Sequence, residues 1–279
     1  MIRILCCLLL GGLASLQAEP ETVTAITYNI RLDTRGDVDE RDWPQRRDTV
    51  TTYLRESGAT IIGMQEVVHN QLEDVETALE PFDHTGVGRT DGKNEGEYSP
   101  IFYDPAVWEI DPAEQGTFWL SDTPETPGSF TWGNEIPRIC SWARLKHRGN
   151  GASIYVYNTH WDHRSQPSRE RAAKLMVERI RARKHADEPV LLMGDFNAKP
   201  DNAAIQTLLA SGLFAESPKI EYLTFNSWEG PLVAGAPIDH IFLSPEWQAA
   251  KMAVEANGDP PGSDHHPVAV EARLRGESP

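Results

Sequence analysis

Six short segments of the 279-residue chain end apolar runs with side chains that are costly to bury without a purpose. They are Thr27-Tyr28-Asn29-Ile30-Arg31, Gly63-Met64-Gln65-Glu66-Val67, Asn158-Thr159-His160, Gly194-Asp195-Phe196-Asn197, Ile238-Asp239-His240-Ile241-Phe242 and Ser263-Asp264-His265-His266-Pro267. Carboxylates, amides and imidazoles of this kind ligate hard cations, relay protons and activate water. Taken singly, each has an ordinary structural use. Asn29 suits a turn, Glu66 a helix cap, His160 a satisfied core position, Asp195 the opening of a turn and Asp239 the end of one. Their combination, each at the edge of a strand-like run, points to one assembled site.

The elements that must position them are legible. Runs rich in β-branched and aromatic residues, bounded by Gly, Pro, Asp or Asn, predict strands at Val23 to Ile30, Thr60 to Met64, Ser141 to Leu145, Ser153 to Asn158, Val190 to Met193, Ile238 to Leu243 and Val268 to Ala272. Amphipathic helices lie between some of them. One opens at Asp42 and Pro44 and stops at Gly58; a second carries Asn70 and Glu73 in capping-box spacing and ends before Pro81. A third opens at Ser168, and a fourth runs from Pro200-Asp201 to Gly212. Several neighbouring strands have no helix between them, which favours a mixed sandwich over a purely parallel sheet.

Charge and cysteine usage narrow the class. With 26 Lys+Arg against 42 Asp+Glu, the formal net charge is -16, and 39% of residues are hydrophobic, the balance of a soluble globular protein. This acidity opposes a dedicated duplex binder, which holds a polyanion with a clustered basic face. The third helix is dense in arginine, but acids are interspersed, as on a solvated face. Met1-Ile2-Arg3, the apolar run to Leu13 and the small Ala18 read as an export signal at 1–18 cleaved near Ala18, with a globular domain at 19–279 and a secreted or periplasmic destination. Cleavage removes Arg3, Cys6 and Cys7, so Cys140 is left alone and no internal disulfide can form. Its position between Ile139 and Trp142 is that of a small buried apolar group.

The segments TYNIR, GMQEV, YNTH, MGDFNA, IDHIF and SDHHP, running from Asn29 to His265, resemble the endonuclease/exonuclease/phosphatase superfamily of pancreatic DNase, inositol polyphosphate 5-phosphatases and Ccr4-type deadenylases. The resemblance implies an α/β (α+β) fold, a four-layer sandwich of two packed mixed β-sheets flanked by helices. It also implies metal-dependent phosphoester hydrolysis. Such chemistry neutralises the phosphoryl oxygens with a hard cation, here Mg²⁺ or Mn²⁺, and makes a water nucleophilic. On this reading Glu66 is the principal metal ligand, with Asn29 and Asp264 close to the same ion or to the phosphate. Asp195, with Asn197 two residues on and on the same strand face, orients and deprotonates the water. His160 and His265 donate to the phosphate or leaving oxygen, and Asp239 fixes the tautomer of His265. Displacement is in line, without a covalent intermediate, and one or two ions both fit.

The chain also departs from the superfamily pattern. Trp161-Asp162-His163 follows His160 where many relatives carry an apolar residue, and Asp162 and His163 read either as extra contacts or as a surface turn. No equivalent of the active-site tyrosine of abasic-site endonucleases can be placed. Two long segments, Gly86 to Pro100 and Phe118 to Pro137, are candidates for specificity. Arg89 and Arg138 are candidate phosphate clamps, and Trp132 and Trp161 candidate stacking platforms. The expectation is a monomeric phosphodiesterase or phosphatase acting on a small or short phosphoester without membrane attachment. A nuclease of the same superfamily and a non-catalytic binding protein are the alternatives.

Overall fold

The computed structural model describes residues 22–215 and 218–274, so the expected export signal and its cleavage site lie outside the described residues. Two β-sheets form the centre. The first has strands in the order β10-β11-β1-β2-β4-β3, from β1 (Thr22–Asn29), β2 (Ile61–Gln65), β3 (Asp83–Thr85), β4 (Ile101–Tyr103), β10 (Trp247–Val254) and β11 (Val268–Leu274). The second runs β5-β6-β7-β8-β9, from β5 (Trp108–Trp119), β6 (Ile139–His147), β7 (Ser153–His160), β8 (Val190–Asp195) and β9 (Asp239–Leu243). Each sheet has one parallel pair, β1 with β2 and β7 with β8, and its other pairs are antiparallel.

Three apolar clusters define the layers. Ala25, Ile61, Ile101, Leu145, Val156, Leu191, Met193, Ile241 and Val270 fill the space between the sheets. Helices α1 (Trp43–Glu56) and α2 (His69–Ala78) cover the outer face of the first sheet, with Val50, Leu54, Leu72 and Val75 against Ile26, Ile62 and Phe102. Helices α3 (Gln166–Arg181) and α4 (Ala203–Ala210) cover the second, with Met176, Ile180, Ile205 and Leu208 against Tyr155, Leu192 and Phe242. This is the four-layer sandwich that the sequence implied. Cys140 belongs to the layer under α3, and burial pushes its thiol well above the ordinary value.

Helix starts differ in detail from expectation because different side chains reach the free amides. In α2 the N-cap is Val68, and Gln71 supplies the reciprocal bond, its Oε1 accepting from Val68 N at 3.1 Å; Asn70 instead donates to Asp33. In α3, Ser165 is the cap, accepting from Ser168 N at 3.2 Å, so Ser168 lies inside the helix. Asn202 caps α4. Strands β3, β4, β5 and β10 escaped the sequence reading for local reasons. β3 and β4 are three residues each, and β5 is interrupted by a register shift between Ile110 and Gln115, around Asp111-Pro112. β10 is an edge strand, also broken in register. Among the described residues no helix is long and apolar enough to cross a membrane.

Close approach of backbones sets one strict requirement. Gly194 has φ +152°, and a Cβ there would stand 2.0 Å from the Thr159 carbonyl oxygen on the neighbouring strand. Gly194→Ala therefore must push β7 from β8 one residue before Asp195. We expect a loss of about 3 kcal/mol or more, seen as a melting temperature lowered by roughly 6–12 °C or as insolubility. A melting curve superimposable on wild type would show that the strand ends are not held this tightly.

Candidate active site

The site forms where the parallel strands of both sheets stop. β1 ends at Asn29, paired with Gln65 at the end of β2; β7 ends at His160, paired with Asp195 at the end of β8. Asp195 is in turn paired with Asp239, where β9 begins. Asp264 and His265 arrive on the turn before β11, tied down by Ser263 Oγ, which donates to the Asn29 carbonyl at 2.7 Å. Side-chain amides join the sheets here. Asn29 Nδ2 donates to Asp195 Oδ2 at 3.0 Å and to Glu66 Oε1 at 3.1 Å. Below it, Gln65 Nε2 donates to Asn158 Oδ1 at 2.6 Å, and Asn158 Nδ2 donates to the carbonyls of Met64 and Pro100, both at 2.8 Å.

Glu66 lies one residue past β2 with φ +61°, and Arg31 two past β1 with φ +58°. Such left-handed conformations cost free energy in residues with a Cβ and persist where surrounding contacts enforce them. Here they turn Glu66 and Arg31 toward one another: Arg31 Nη1 stands 3.9 Å from Glu66 Oε2 and 4.0 Å from Asp264 Oδ2, while its other nitrogens grip Asp37. His265 Nδ1 is 2.9 Å from Asp239 Oδ2, and its Nε2 is 3.8 Å from Asp195 Oδ2. His160 Nε2 accepts from Asn197 Nδ2 at 3.1 Å and lies 3.4 Å from Asp195 Oδ2.

Burial and charge push these groups apart in proton affinity. Asp195 is raised to about 7, first by burial and then by the Asp239 charge. For His265, burial opposes the charged ring, but Asp239 and Asp195 overcome it and leave the ring raised to about 10. His160 goes the other way, held well below the ordinary histidine value by burial and by the Arg138 and Arg89 cations. Burial raises Asp264 and Glu97. One buried histidine thus holds a proton, another lacks one, and a carboxylate between them titrates near neutrality.

Two groupings could hold a metal ion. Asp195, Asp239 and His265 bring ligand-type atoms within 4.8 Å of one another, all buried. In that set, however, His265 Nδ1 is committed to Asp239 and its ring is protonated, which suits proton handling better than ligation. Glu66 and Asp264 instead converge on the Arg31 cation, and their carboxylate oxygens are the donors that a hard divalent cation requires. Asn29 fits the sequence expectation less directly. Its amide nitrogen faces Glu66 and Asp195, and its Oδ1 accepts from Arg31 N, so it acts as a bridge between carboxylates.

All eight residues assigned to catalysis or metal binding, Asn29, Glu66, His160, Asp195, Asn197, Asp239, Asp264 and His265, are brought to this end of the sandwich. Asn197 gets there by another route than strand alternation, since β8 ends at Asp195 and Asn197 has φ +48° in the following turn. The four candidates for substrate binding require correction. Trp161 is fully buried, packed edge-to-face on Phe196 with ring centroids 4.7 Å apart, and Trp132 is buried in the same cluster with Nε1 on Asp122. Neither presents a face for stacking. Arg89 gives both arms of its guanidinium to Glu97, and Arg138 is only 3% exposed, so neither is a free surface clamp.

Three further residues were not assigned from sequence. Arg31 was visible two residues after Asn29, but its approach to Glu66 depends on the left-handed turn. Glu97 lies on the segment after β3, which folds back so that Arg89 N donates to Glu97 O, and its Oε2 reaches within 3.8 Å of His160 Nδ1. Phe225 is 45% exposed although its ring stands 5.2 Å from His265, an uncovered aromatic at the mouth of the site. Its neighbour in sequence, Asn226, donates through its backbone to the Asp264 carbonyl.

Residues 26–265 match the model of the endonuclease/exonuclease/phosphatase family, and the chain belongs to that family. It is a phosphoester hydrolase by that membership. A solved endonuclease/exonuclease/phosphatase family protein from Bacteroides thetaiotaomicron is 32% identical, with 93% of this chain and 100% of the other covered and a TM-score of 0.85. A mannosyl-6-phosphatase from the same organism is 33% identical over 90% of this chain and 100% of its own, with a TM-score of 0.81. The human Nocturnin catalytic domain, 13% identical with a TM-score of 0.70 over 91% of this chain and 94% of its own, shares the fold. No curated protein matches the chain by sequence.

The His265–Asp239 pair can be tested without substrate. In metal-free protein the ring should titrate near 10. Asp239→Asn removes the largest raising interaction and should move the ring's titration, followed by NMR, to lower pH than in wild type. Because the folded value lies above the unfolded value of about 6.5, the stability this group contributes is fully present below that pH and is lost as pH rises toward 10. Asp239→Asn should lack that component of the alkaline decline in melting temperature. A wild-type ring found neutral at pH 8 would refute the assignment.

Proposed function

We propose that the protein is a divalent-metal-dependent phosphatase acting on a small, soluble phosphomonoester, with a sugar phosphate as the leading substrate. The observation that carries this reading is the setting of Asp195, a buried carboxylate raised to about 7 between a neutral and a protonated histidine. A general base works best when its proton affinity lies near the working pH. The similarity to a mannosyl-6-phosphatase, 33% identical over 90% of the chain, favours a phosphorylated sugar.

Glu66 and Asp264 would hold the ion, Mg²⁺ or Mn²⁺ by the hardness of their oxygens, with Asn29 fixing Glu66 relative to Asp195. When bound, such an ion neutralises charge on the phosphoryl oxygens and supports the leaving oxygen. Asp195 takes a proton from the attacking water, oriented by Asn29. His265, held protonated by Asp239, donates to a phosphoryl oxygen as negative charge grows there. Neutral His160 is steadied by Asn197 and keeps the wall beside Asp195 uncharged. Attack is in line, and no covalent intermediate forms on the protein.

The surface supports a small substrate over long nucleic acid. On α3 and the turn before it, three of the arginines face acids, Arg164 against Glu135, Arg171 against Asp122 and Arg179 against Glu125, while Arg169 and Arg181 are held by neutral oxygens. Paired in this way, those three offer little free positive potential to a phosphate backbone. A secreted or periplasmic location follows from the N-terminal apolar run and belongs to the same proposal.

A chelator should abolish turnover and added Mg²⁺ or Mn²⁺ restore it. Assayed with hexose phosphates, phenyl phosphate, a bis(aryl) phosphodiester and single- and double-stranded DNA, the enzyme should favour the monoesters. Faster cleavage of DNA than of any monoester would overturn the substrate reading. Asp195→Asn should lower kcat by about 10²- to 10⁴-fold while the protein stays folded by circular dichroism. Turnover within a few-fold of wild type would remove Asp195 as the base.

A further inference from the structure

After β7 the chain makes a tight descent and return. Trp161 plugs the layer under α3, and Asp162, buried beneath the turn, accepts from the backbone amides of Arg164 and Ser165 through Oδ1, at 2.9 and 2.6 Å. These bonds pin His163 at the crest, where it is exposed. Arg138, entering from the loop before β6, lies buried beneath it. Its Nη2 is 3.0 Å from His163 Nδ1, and its Nε is 3.8 Å from Asp162 Oδ2.

A guanidinium has hydrogens to donate and no lone pair to accept with. The Arg138–His163 hydrogen bond therefore exists only if Nδ1 is unprotonated, which makes the ring neutral and puts its one proton on Nε2. Burial and the Arg138 cation act in the same direction, lowering the proton affinity of His163. The arrangement is expensive. Arg138 is 3% exposed, and its Nε and Nη1 have no hydrogen-bond partner. Burying a cation with unsatisfied N–H groups opposes folding, and a plain surface turn requires nothing of the kind.

The turn also stands next to the chemistry. Arg138 lines a small cavity with Arg89, Glu97 and His160, and the charge of Glu66 is felt at His163. A ring kept neutral by an adjacent cation is poorly suited to a phosphate dianion, which favours charged donors. It is well suited to an uncharged oxygen. We propose that His163 is a specificity-determining residue whose Nε2–H donates to a hydroxyl or ring oxygen on the organic part of the substrate, and that Arg138 is the positioning residue that fixes this tautomer.

This inference rests on the sugar-phosphate reading above, and the test separates the two. With a hexose 6-phosphate, His163→Ala should raise KM about 5- to 10-fold with kcat little changed, the loss expected for one neutral hydrogen bond. With phenyl phosphate, which has the same phosphate and no hydroxyl, KM should not move. His163→Gln, which keeps an N–H donor, should fall between. In metal-free protein, ¹⁵N NMR should show the Nε2–H tautomer of His163 in wild type and in Arg138→Lys, a donor only. Arg138→Gln, whose amide can also accept, should release the tautomer and raise KM for the hexose phosphate as His163→Ala does. A wild-type Nδ1–H tautomer, or equal KM changes with both substrates, would overturn the proposal. A wild-type enzyme that cleaves phenyl phosphate and no hexose phosphate would overturn the substrate reading and this contact together. Cleavage of both, with His163→Ala indifferent, would overturn the contact alone.

Discussion

Everything at the active end depends on buried amides that cross from one sheet to the other. The Asn29 side chain spans from β1 to Asp195 at the end of β8, and the Gln65–Asn158 pair joins β2 to β7 one layer below. An amide out of register in this interior would leave its own groups and its partner's unsatisfied, at a cost of about 1–3 kcal/mol each. The apolar layer between the sheets provides cohesion but tolerates sliding. The polar crossing does not, and it fixes which strand ends meet. Gly63 belongs to the same constraint, since a Cβ there would fall 2.7 Å from Met193 Cε and 2.8 Å from Asn158 Cγ.

Once the strand ends meet, electrostatics follows from confinement. Asp195, Asp239 and His265 are each nearly inaccessible to water, so each charge is felt strongly by the others. The result is a division of labour among groups that would behave alike in solution. His265 is kept charged by two carboxylates, His160 is kept neutral by burial and two arginines, and Asp195 lies between. No single residue sets these values.

Much of this was legible in the sequence, and the illegible part has a common cause. Runs of β-branched and aromatic residues located seven of the strands, and polar residues at their ends located the candidate site. The three-residue β3 and β4 and the register-broken β5 and β10 carry too little continuous signal, and they did not stand out. Helix caps went astray where a neighbouring serine, asparagine or glutamine reached the same amide. Residue type alone also misjudged Trp132, Trp161, Arg89 and Arg138, because whether a large or charged side chain faces solvent or core is decided by loop paths. Arg31 and Glu97 depend on a left-handed turn and a folded-back segment, neither of which announces itself in composition.

The order of strands in the first sheet bears on how the protein is made. Among the described residues β11 follows every other element in sequence, yet it lies inside the sheet, between β10 and β1. Asp264 and His265 immediately precede it. A chain emerging from the ribosome can form β1, β2 and most of the second sheet while β1 still lacks a neighbour on one side and the site lacks its protonated histidine. The candidate site and the closed sheet are therefore completed together, once the segment carrying Asp264, His265 and β11 has been made, and a chain that lacks it has neither.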